Sequence, residues 1–182
     1  NSYLNIKYLK FKKYGKDNLG YSLFEGVSND AVYEDLSTNA LSYEIRLLNK
    51  LGMLGFIDGA KFDSKKSVTR ADFAQALCGF FTDEVDDVES YFYDLPTGHS
   101  KSKYVNYMYQ KGIIDMTADG HFRLDTAITV EQALDVIKRF YNLPKIDDKI
   151  IDQTEKNLEE EILSGVTGKI TADLTRQNLA KM

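Results

Sequence analysis

Val68-Thr69-Arg70-Ala71-Asp72-Phe73-Ala74 has the pattern of a helix start. Thr69 and Asp72 stand three residues apart in it, and apolar residues at helical spacing follow: Phe73, Leu77, Phe80 and Phe81. In such a capping box, each side chain accepts a hydrogen bond from the backbone N–H of the other residue. The spacing therefore predicts a helix that begins at Thr69.

Arg70 would lie in the first turn of that helix. The first turn carries backbone N–H groups without helical partners and the positive end of the helix dipole. A guanidinium group beside free N–H groups suits an anion, such as a sugar carboxylate or a phosphate. The sequence therefore predicts an anion-binding position at Arg70.

The composition indicates a chain that can fold and argues against two classes of partner. Of the 182 residues, 43% are hydrophobic, and the formal net charge is -5. Lys and Arg are scattered rather than gathered into a stripe, which argues against nucleic acid as a partner. No run reaches the roughly 18 apolar residues of a membrane span. We therefore expect no membrane span and a chain that is soluble as it stands.

Two local features bear on the compartment. The sequence begins with Asn1-Ser2, without Met, and it stops at Ala180-Lys181-Met182 inside a predicted helix. Both ends are typical of a piece of a longer protein, from which a signal peptide would have been removed. The single cysteine, Cys78, cannot form an internal disulfide, and its helical spacing predicts a small buried side chain.

The first 29 residues differ from the rest of the sequence. Apolar and polar positions alternate there, and Gly15-Lys16-Asp17-Asn18 interrupts the alternation. That pattern predicts a short β-hairpin-like N-terminal flank over residues 1–29.

A repeat begins near residue 30. The separation between a glycine and a capping threonine is 17 residues both from Gly52 to Thr69 and from Gly112 to Thr129. The separation between a phenylalanine and the same threonines is seven residues in both copies, starting from Phe62 and Phe122. Agreement across several kinds of landmark makes a chance match improbable.

Each copy has the pattern of a helix, a glycine stop, a turn-rich loop and a second helix. Gly52 and Gly112 suit the left-handed position after a helix, and Asp58-Gly59 and Asp119-Gly120 suit tight turns. A helix pair of this size cannot bury its apolar face alone, so the copies are expected to pack on one another.

The repeat divides the remaining chain into three parts. We predict a first repeat over residues 30–82, an acidic linker with a second repeat over 83–142, and a degenerate or truncated third repeat over 143–182. In the third, Gly165 lies only ten residues before Thr175, at another predicted helix start. The acidic run at 83–89 lacks the alternating ligands of a calcium loop, which favours a solvated linker over a metal site.

These landmarks resemble the S-layer homology family. The first copy has Tyr33-x-Asp35, Gly52, Asp58-Gly59, Phe62 and the Thr-Arg-Ala-Asp sequence at residues 69–72. The second copy has Asp94-Leu95-Pro96-Thr97-Gly98-His99, followed by Gly112-Ile113-Ile114 and Phe122. The similarity covers roughly residues 30–182.

The resemblance implies a mainly α, pseudo-three-fold module without catalytic activity. Such modules hold proteins on the outside of bacteria, at the cell wall or in an S-layer. Their grooves between repeats bind secondary cell-wall polysaccharide, often with pyruvylated sugars. The family's anion-contacting arginine corresponds to Arg70 and Arg176, and the aspartate that opens each unit corresponds to Asp35 and Asp94.

The sequence also departs from the family. Val130 replaces the arginine in the second copy, so that groove would lack its charged donor. The chain has no Trp, and Ser100 and approximately Leu41 occupy the family's aromatic position. Because sugar rings stack on aromatic faces, that contact would pass to a tyrosine such as Tyr43 or Tyr104, or it would be lost.

Part of the motif is explained by the fold alone. A threonine cap contributes on the order of 1 kcal/mol without any ligand. Thr129 with Gln132 repeats the cap of Thr69 with Asp72 but has no arginine beside it. The cap therefore belongs to the fold, while Arg70 is the residue that a ligand would require.

Catalysis and a purely structural role are the two alternatives to a glycan anchor. Catalysis has little support, because the only histidines, His99 and His121, belong to no metal-ligand motif and no nucleophile motif is present. We expect neither a cofactor nor a metal. The second alternative is a degenerate repeat module that binds protein surfaces or self-associates in a surface layer without binding glycan. Val130 and the missing Trp favour that alternative.

Overall fold

The computed structural model describes residues 33–36, 41–79, 89–141, 156–157 and 159–182. Within them the chain is mainly helical, as the repeat pattern predicts. The predicted β-hairpin-like flank and all but the last residue of the acidic run lie outside the described residues.

The described part of the chain contains five α-helices with complete bounds. They are α1 Ser42–Lys50, α2 Arg70–Gly79, α3 Ser102–Gln110, α4 Val130–Tyr141 and α5 Arg176–Lys181. A short 3-10 helix, Glu34–Leu36, precedes them, and residues 156–157 and 159–163 are also helical. Helices are therefore found in all three predicted repeats.

Glycine ends α1 and α3 in the same way. Gly52 and Gly112 have positive φ angles of 74° and 67°. The N–H of Gly52 donates to the Asn49 carbonyl, and the next N–H donates to the Leu48 carbonyl, both at 3.0 Å. Gly112 and its successor make the equivalent bonds after α3. Both ends are Schellman motifs, which require a left-handed residue at this position.

Three short extended segments before α2, α4 and α5 join in a closed ring. The N–H of Val68 donates to the Leu174 carbonyl at 2.8 Å, and the N–H of Leu174 donates to the Ile128 carbonyl at 2.7 Å. The N–H of Ile128 donates to the Val68 carbonyl at 3.0 Å, which closes the ring. Antiparallel bridges connect the same three segments. The ring places the three helix starts next to one another.

The core links the repeats rather than filling each one separately. One cluster draws on all three, with Ile45 from α1, Ile137 from α4 and Leu179 from α5. A second cluster joins Cys78 of α2 to Met108 of α3, both fully buried. Helix α2 therefore packs against α3 of the next repeat, while α5 packs against α1. Such interlocking explains why one helix pair would not be stable alone.

Cys78 is a free, buried thiol, as its spacing predicted. Burial raises the pKa of this thiol to about 12, so it stays protonated at neutral pH. No helix in the described ranges is long and apolar enough to cross a membrane.

Candidate functional site

The capping box at α2 has the expected geometry. The N–H of Asp72 donates to Thr69 Oγ1 at 3.1 Å, and the N–H of Thr69 donates to Asp72 Oδ2 at 3.3 Å. Thr129 and Gln132 exchange the same pair of bonds, each 3.2 Å long. Thr175 Oγ1 accepts the equivalent bond in α5, from the N–H of Asn178. The cap is thus common to the three helix starts, whether or not an arginine follows it.

The backbone of the α2 N-terminus is not free for an anion. The N–H of Arg70 donates to the Thr126 carbonyl at 2.9 Å, and that of Ala71 donates to the Leu124 carbonyl at 3.1 Å. The third N–H, from Asp72, is taken by the cap. The expectation of free N–H groups beside Arg70 is therefore wrong. The loop of the second repeat lies against the helix end and satisfies these donors, which a search within one repeat cannot reveal.

Arg70 itself lies between the first two repeats. Its Nε donates to the Phe122 carbonyl at 2.8 Å, and its guanidinium carbon is 4.8 Å from the centre of the Phe122 ring. Burial lowers the pKa of Arg70, and the nearby charge of Arg123 adds to this effect. Arginine nevertheless remains charged in proteins. The side chain is half-buried, and among the described residues its two terminal nitrogens have no hydrogen-bond partner. Those nitrogens are the donors available to a ligand.

A small cavity lies behind the Arg70 side chain. Its volume is about 20 Å³, enough for about one water molecule. It is lined almost wholly by apolar side chains, from Arg70, Phe73, Ala74, Met108, Ile114, Phe122, Ile128 and Val136. A sugar does not fit there, so any glycan must meet Arg70 from the solvent side.

Arg176 repeats the contact of Arg70 but is buried. Its Nη1 donates to the Phe62 carbonyl at 2.7 Å, and its guanidinium carbon is 5.8 Å from the Phe56 ring centre. Only 6% of its surface is exposed, and its Nε has no hydrogen-bond partner among the described residues. This arginine therefore joins the third repeat to the first from inside the fold.

Val130 keeps the backbone arrangement but loses the side-chain contact. Its N–H donates to the Ala172 carbonyl at 3.0 Å, and the N–H of Glu131 donates to the Ile170 carbonyl at 2.9 Å. Val130 is 1% exposed. Gly168 stands seven residues before Thr175, at the position that Phe62 and Phe122 occupy in the other two repeats. The arginine and the phenylalanine are thus absent from the same junction.

Asp35 and Asp94 hold the loops that carry these phenylalanines. Asp35 accepts hydrogen bonds from the N–H groups of Phe62 at 2.7 Å and Asp63 at 2.9 Å. Asp94 accepts the equivalent bond from the N–H of Phe122 at 2.7 Å, and a second from the next residue. Burial alone would raise the pKa of Asp35, but the two backbone hydrogen bonds outweigh it and hold the pKa below its ordinary value. Each carboxylate therefore positions the loop against which an arginine packs.

Asp72 has a second partner in addition to the cap. Its Oδ1 forms an ion pair with Lys101, the residue just before α3. Both side chains are largely buried. Asp72 therefore connects the first repeat to the second, so its carboxylate is already occupied by protein groups.

The two tyrosines predicted as sugar platforms lie in different surroundings. Tyr43 is 44% exposed on α1. Tyr104 is half-buried against the second core cluster, with Lys103 Nζ 5.0 Å from its ring centre. Leu41, near the family's aromatic position, packs half-buried on the first cluster, and Ser100 is exposed.

Sequence reasoning missed Phe122 and Lys101 as partners of the motif. The repeat had identified Phe122 as a landmark, but a spacing along the chain does not reveal which arginine it meets. Lys101 belongs to none of the sequence landmarks or motifs of the repeat. Both contacts cross between repeats, at sequence separations of 52 and 29 residues.

Residues 91–134 match the family model of the S-layer homology domain. This segment is therefore similar to S-layer homology domains. The match begins just before Asp94 and ends within α4, so it covers most of the second repeat. It confirms the resemblance that the landmarks indicated. No curated protein matches the chain.

S-layer homology domains in general associate with bacterial cell surfaces and bind cell-wall polysaccharide, and they are typically non-catalytic. Within the described residues, no group of three or more His, Cys, Asp or Glu side chains is placed to hold a metal ion.

Proposed function

We propose that residues 30–182 form a pseudo-three-fold S-layer homology module that anchors its protein to secondary cell-wall polysaccharide outside a bacterial cell. The module has no catalytic role. An acidic substituent of the glycan, such as a pyruvate ketal, binds at Arg70. The repeats divide as the sequence predicts, at residues 30–82, 83–142 and 143–182.

The hydrogen-bond ring supports the three-fold part of this proposal. Val68, Ile128 and Leu174 each donate to one member of the ring and accept from the other. Each is followed by a capping threonine. Because the family match covers the second repeat, equivalent bonds in the other two support extending the same fold to them.

The main support for the proposed binding function is that the Arg70 guanidinium is oriented by one hydrogen bond and keeps further donors available. Nε is fixed on the Phe122 carbonyl, which orients the guanidinium plane, and among the described residues the terminal nitrogens of this half-buried side chain have no hydrogen-bond partner. A pre-oriented guanidinium loses little conformational entropy when it binds a planar carboxylate through two parallel hydrogen bonds. Arg123, near enough to lower the pKa of Arg70, adds positive potential for an anion, and the nearby charge of Asp94 offsets part of it.

The other candidate residues take supporting roles in this proposal. Thr69 and Asp72 fix the helix start that carries Arg70, and Asp94 fixes the loop beneath it. Asp35 does the same beneath Arg176, whose burial makes it a weaker ligand contact. Tyr43 and Tyr104 remain candidates for sugar stacking.

A specific observation favours the alternative of a structural or protein-binding module. Arg70 and Arg176 each donate to the carbonyl of a phenylalanine in another repeat. At the third junction, Val130 replaces the arginine and Gly168 replaces the phenylalanine. Such a pairing would arise if the arginines served only to join repeats. The module would then bind protein or self-associate in a surface layer, without glycan.

A pelleting assay separates the two functions. Purified protein is mixed with cell-wall sacculi, either intact or stripped of their secondary polysaccharide, at two salt concentrations. We expect binding to intact sacculi only, and weaker binding at high salt because the contact is ionic. Equal binding to both preparations, or to neither, contradicts the glycan anchor.

The variant Arg70→Ala then tests the site. A hydrogen bond to a charged group contributes about 1.5–3 kcal/mol, so affinity for intact sacculi should fall roughly tenfold to a hundredfold. Arg139→Ala is the matched control, because it removes an exposed arginine of α4 that pairs with Asp115 rather than with a residue of the proposed site. Helical content should be unchanged in both variants. If Arg70→Ala binds as well as the control, Arg70 is not part of the site.

A further inference from the structure

Tyr93 presents an aromatic ring to solvent in the second repeat. It is 85% exposed, whereas the other exposed large apolar residues in the described ranges reach at most 49%. Its neighbour along the chain, Phe92, is buried in the core. An exposed ring of this kind contributes nothing to the core, so its place in the fold needs another explanation.

The ring packs on the backbone of the loop at Gly120. Gly120 has a φ of 75°, and a Cβ placed on it would lie 2.5 Å from Tyr93 Cε2, so the ring packs directly on the glycine. The N–H of Tyr93 donates to the Gly120 carbonyl at 3.1 Å, and the His121 ring approaches edge-on at 6.1 Å. The ring thus rests against the backbone at Gly120, while most of its surface is open to solvent.

Charged groups stand beside the ring. Asp119, next to Gly120, forms an ion pair of 2.6 Å with Arg123, and both are about half exposed. A hydrogen bond from the Thr117 hydroxyl lowers the pKa of Asp119 to about 2, with help from the His121 N–H and Arg123. The carboxylate is therefore ionised at neutral pH. A hydroxyl-rich ligand at this loop would find both an acceptor and a donor close to the glycine on which the ring packs.

The Tyr93 ring and Arg70 rest on the same short loop. The ring packs on Gly120, and the Arg70 guanidinium binds the carbonyl of Phe122, two residues further on. Two residues of extended chain span at most about 7 Å. The backbone positions that hold the two side chains are therefore close enough for one polysaccharide chain to pass over both.

We propose that Tyr93 is a stacking platform for an uncharged sugar of the same wall polysaccharide whose acidic sugar binds Arg70. The apolar face of a pyranose ring would lie on the open face of the tyrosine, with its hydroxyls toward Asp119 and Arg123. This inference rests on the proposed function. A single ring with charged neighbours suits a sugar better than a protein, since protein partners need a larger apolar patch.

The test uses polysaccharide released from the sacculi of the anchoring assay, titrated into the full chain by calorimetry. Removing an aromatic contact of this kind costs roughly tenfold in affinity, so Tyr93→Ala should bind about tenfold more weakly. Tyr93→Phe should bind nearly as well as the original protein, because it keeps the ring. A monosaccharide with a pyruvate ketal is the second ligand. Its affinity should fall in Arg70→Ala and stay unchanged in Tyr93→Ala.

A glycine pair tests whether the position of the ring matters. Gly120→Ala should displace Tyr93 and weaken polysaccharide binding, because the new Cβ occupies the place of the ring. Gly112→Ala is the control: it has a similar φ of 67° and no atom within 4 Å of the new Cβ. Both variants carry the same backbone strain, so only a difference between them reports on Tyr93.

The outcomes are distinct. If Arg70→Ala loses polysaccharide binding and Tyr93→Ala does not, the platform is wrong and the anchor stands. If the original protein does not bind polysaccharide at all, the anchor and the platform both fail. If the original protein also pellets with polysaccharide-stripped sacculi and Tyr93→Ala loses that binding, the ring contacts another component of the wall and the sugar platform is wrong.

Discussion

Arg70 and Arg176 have the same position in their repeats but different surroundings. Both bind a phenylalanine carbonyl of another repeat, at 2.8 and 2.7 Å. Arg70 is half-buried, whereas Arg176 is 6% exposed and its Nε has no partner in the part of the chain that the structure describes. The repeat motif thus specifies the backbone position and the first contact. It does not specify whether the rest of the guanidinium reaches solvent.

The neighbouring loops explain the difference. Phe56, four residues after Gly52, is buried and packs near Arg176. The residue four positions after Gly112 is Met116, which is exposed. One junction is therefore closed by an aromatic side chain, and the other is left open toward solvent.

The largest expected effect comes from the closed junction. Arg176→Ala should lower the free energy of unfolding by about 2–4 kcal/mol, because it leaves a cavity and an unpaired Phe62 carbonyl. Arg70→Ala should cost less than about 1 kcal/mol, because solvent can replace its contacts. Urea unfolding followed by circular dichroism measures both values.

Arg176→Met separates volume from charge at the same place. A buried charge without an acidic partner stabilises little, so a side chain of similar volume should restore most of the loss. A methionine variant as unstable as the alanine variant would mean that the charge itself holds the junction. Equal losses for Arg70→Ala and Arg176→Ala would remove the contrast between the two junctions.

The helix caps should behave alike at the two junctions. Thr69 and Thr175 accept hydrogen bonds of 3.1 and 3.2 Å from the third helical N–H. Thr69→Ala and Thr175→Ala should each cost about 1 kcal/mol. Thermal melting is the measurement, with Thr97→Ala, at an exposed position, as the control. Similar losses would assign the junction difference to the arginines. A much larger loss in one variant would assign it to the helix starts.

The helices were predictable because their signals are local. Capping residues such as Thr69 and Thr129 and glycine stops such as Gly52 and Gly112 determine backbone geometry within a few residues. The match to the S-layer homology domain followed from the same landmarks. The ring of backbone hydrogen bonds joins segments 46 or more residues apart along the chain, for example Ile128 and Leu174. Such pairing leaves no local mark in the sequence.

The site was less predictable because its contacts cross between repeats. Sequence reasoning selected Arg70, but it also expected free N–H groups that the second repeat covers. It treated Arg176 as an equivalent position, although Phe56 closes that junction. It did not select Tyr93, because one tyrosine among twelve shows no pattern until its exposure is known.

The smallest expected effect is a loss of acid sensitivity in the loop beneath Arg70. The pKa of Asp119 is lowered to about 2 in the folded chain, against about 3.9 for an unfolded aspartate. A lowered pKa stabilises the fold above the unfolded value, and this contribution disappears as the pH falls from about 4 through 2. Asp119→Asn should therefore flatten the fall in stability over that range, measured as melting temperature against pH.

Asp58→Asn provides the comparison in the first repeat, because Asp58 precedes the corresponding turn glycine, Gly59. Asp119 is exposed, so salt should screen most of its ion pair with Arg123. The difference between the Asp119 variant and the original protein should therefore shrink at high ionic strength but not vanish, since the Thr117 hydrogen bond is less sensitive to salt. If Asp58→Asn flattens the acid limb as much as Asp119→Asn does, acid sensitivity is shared by both loops and does not distinguish the open junction from the closed one.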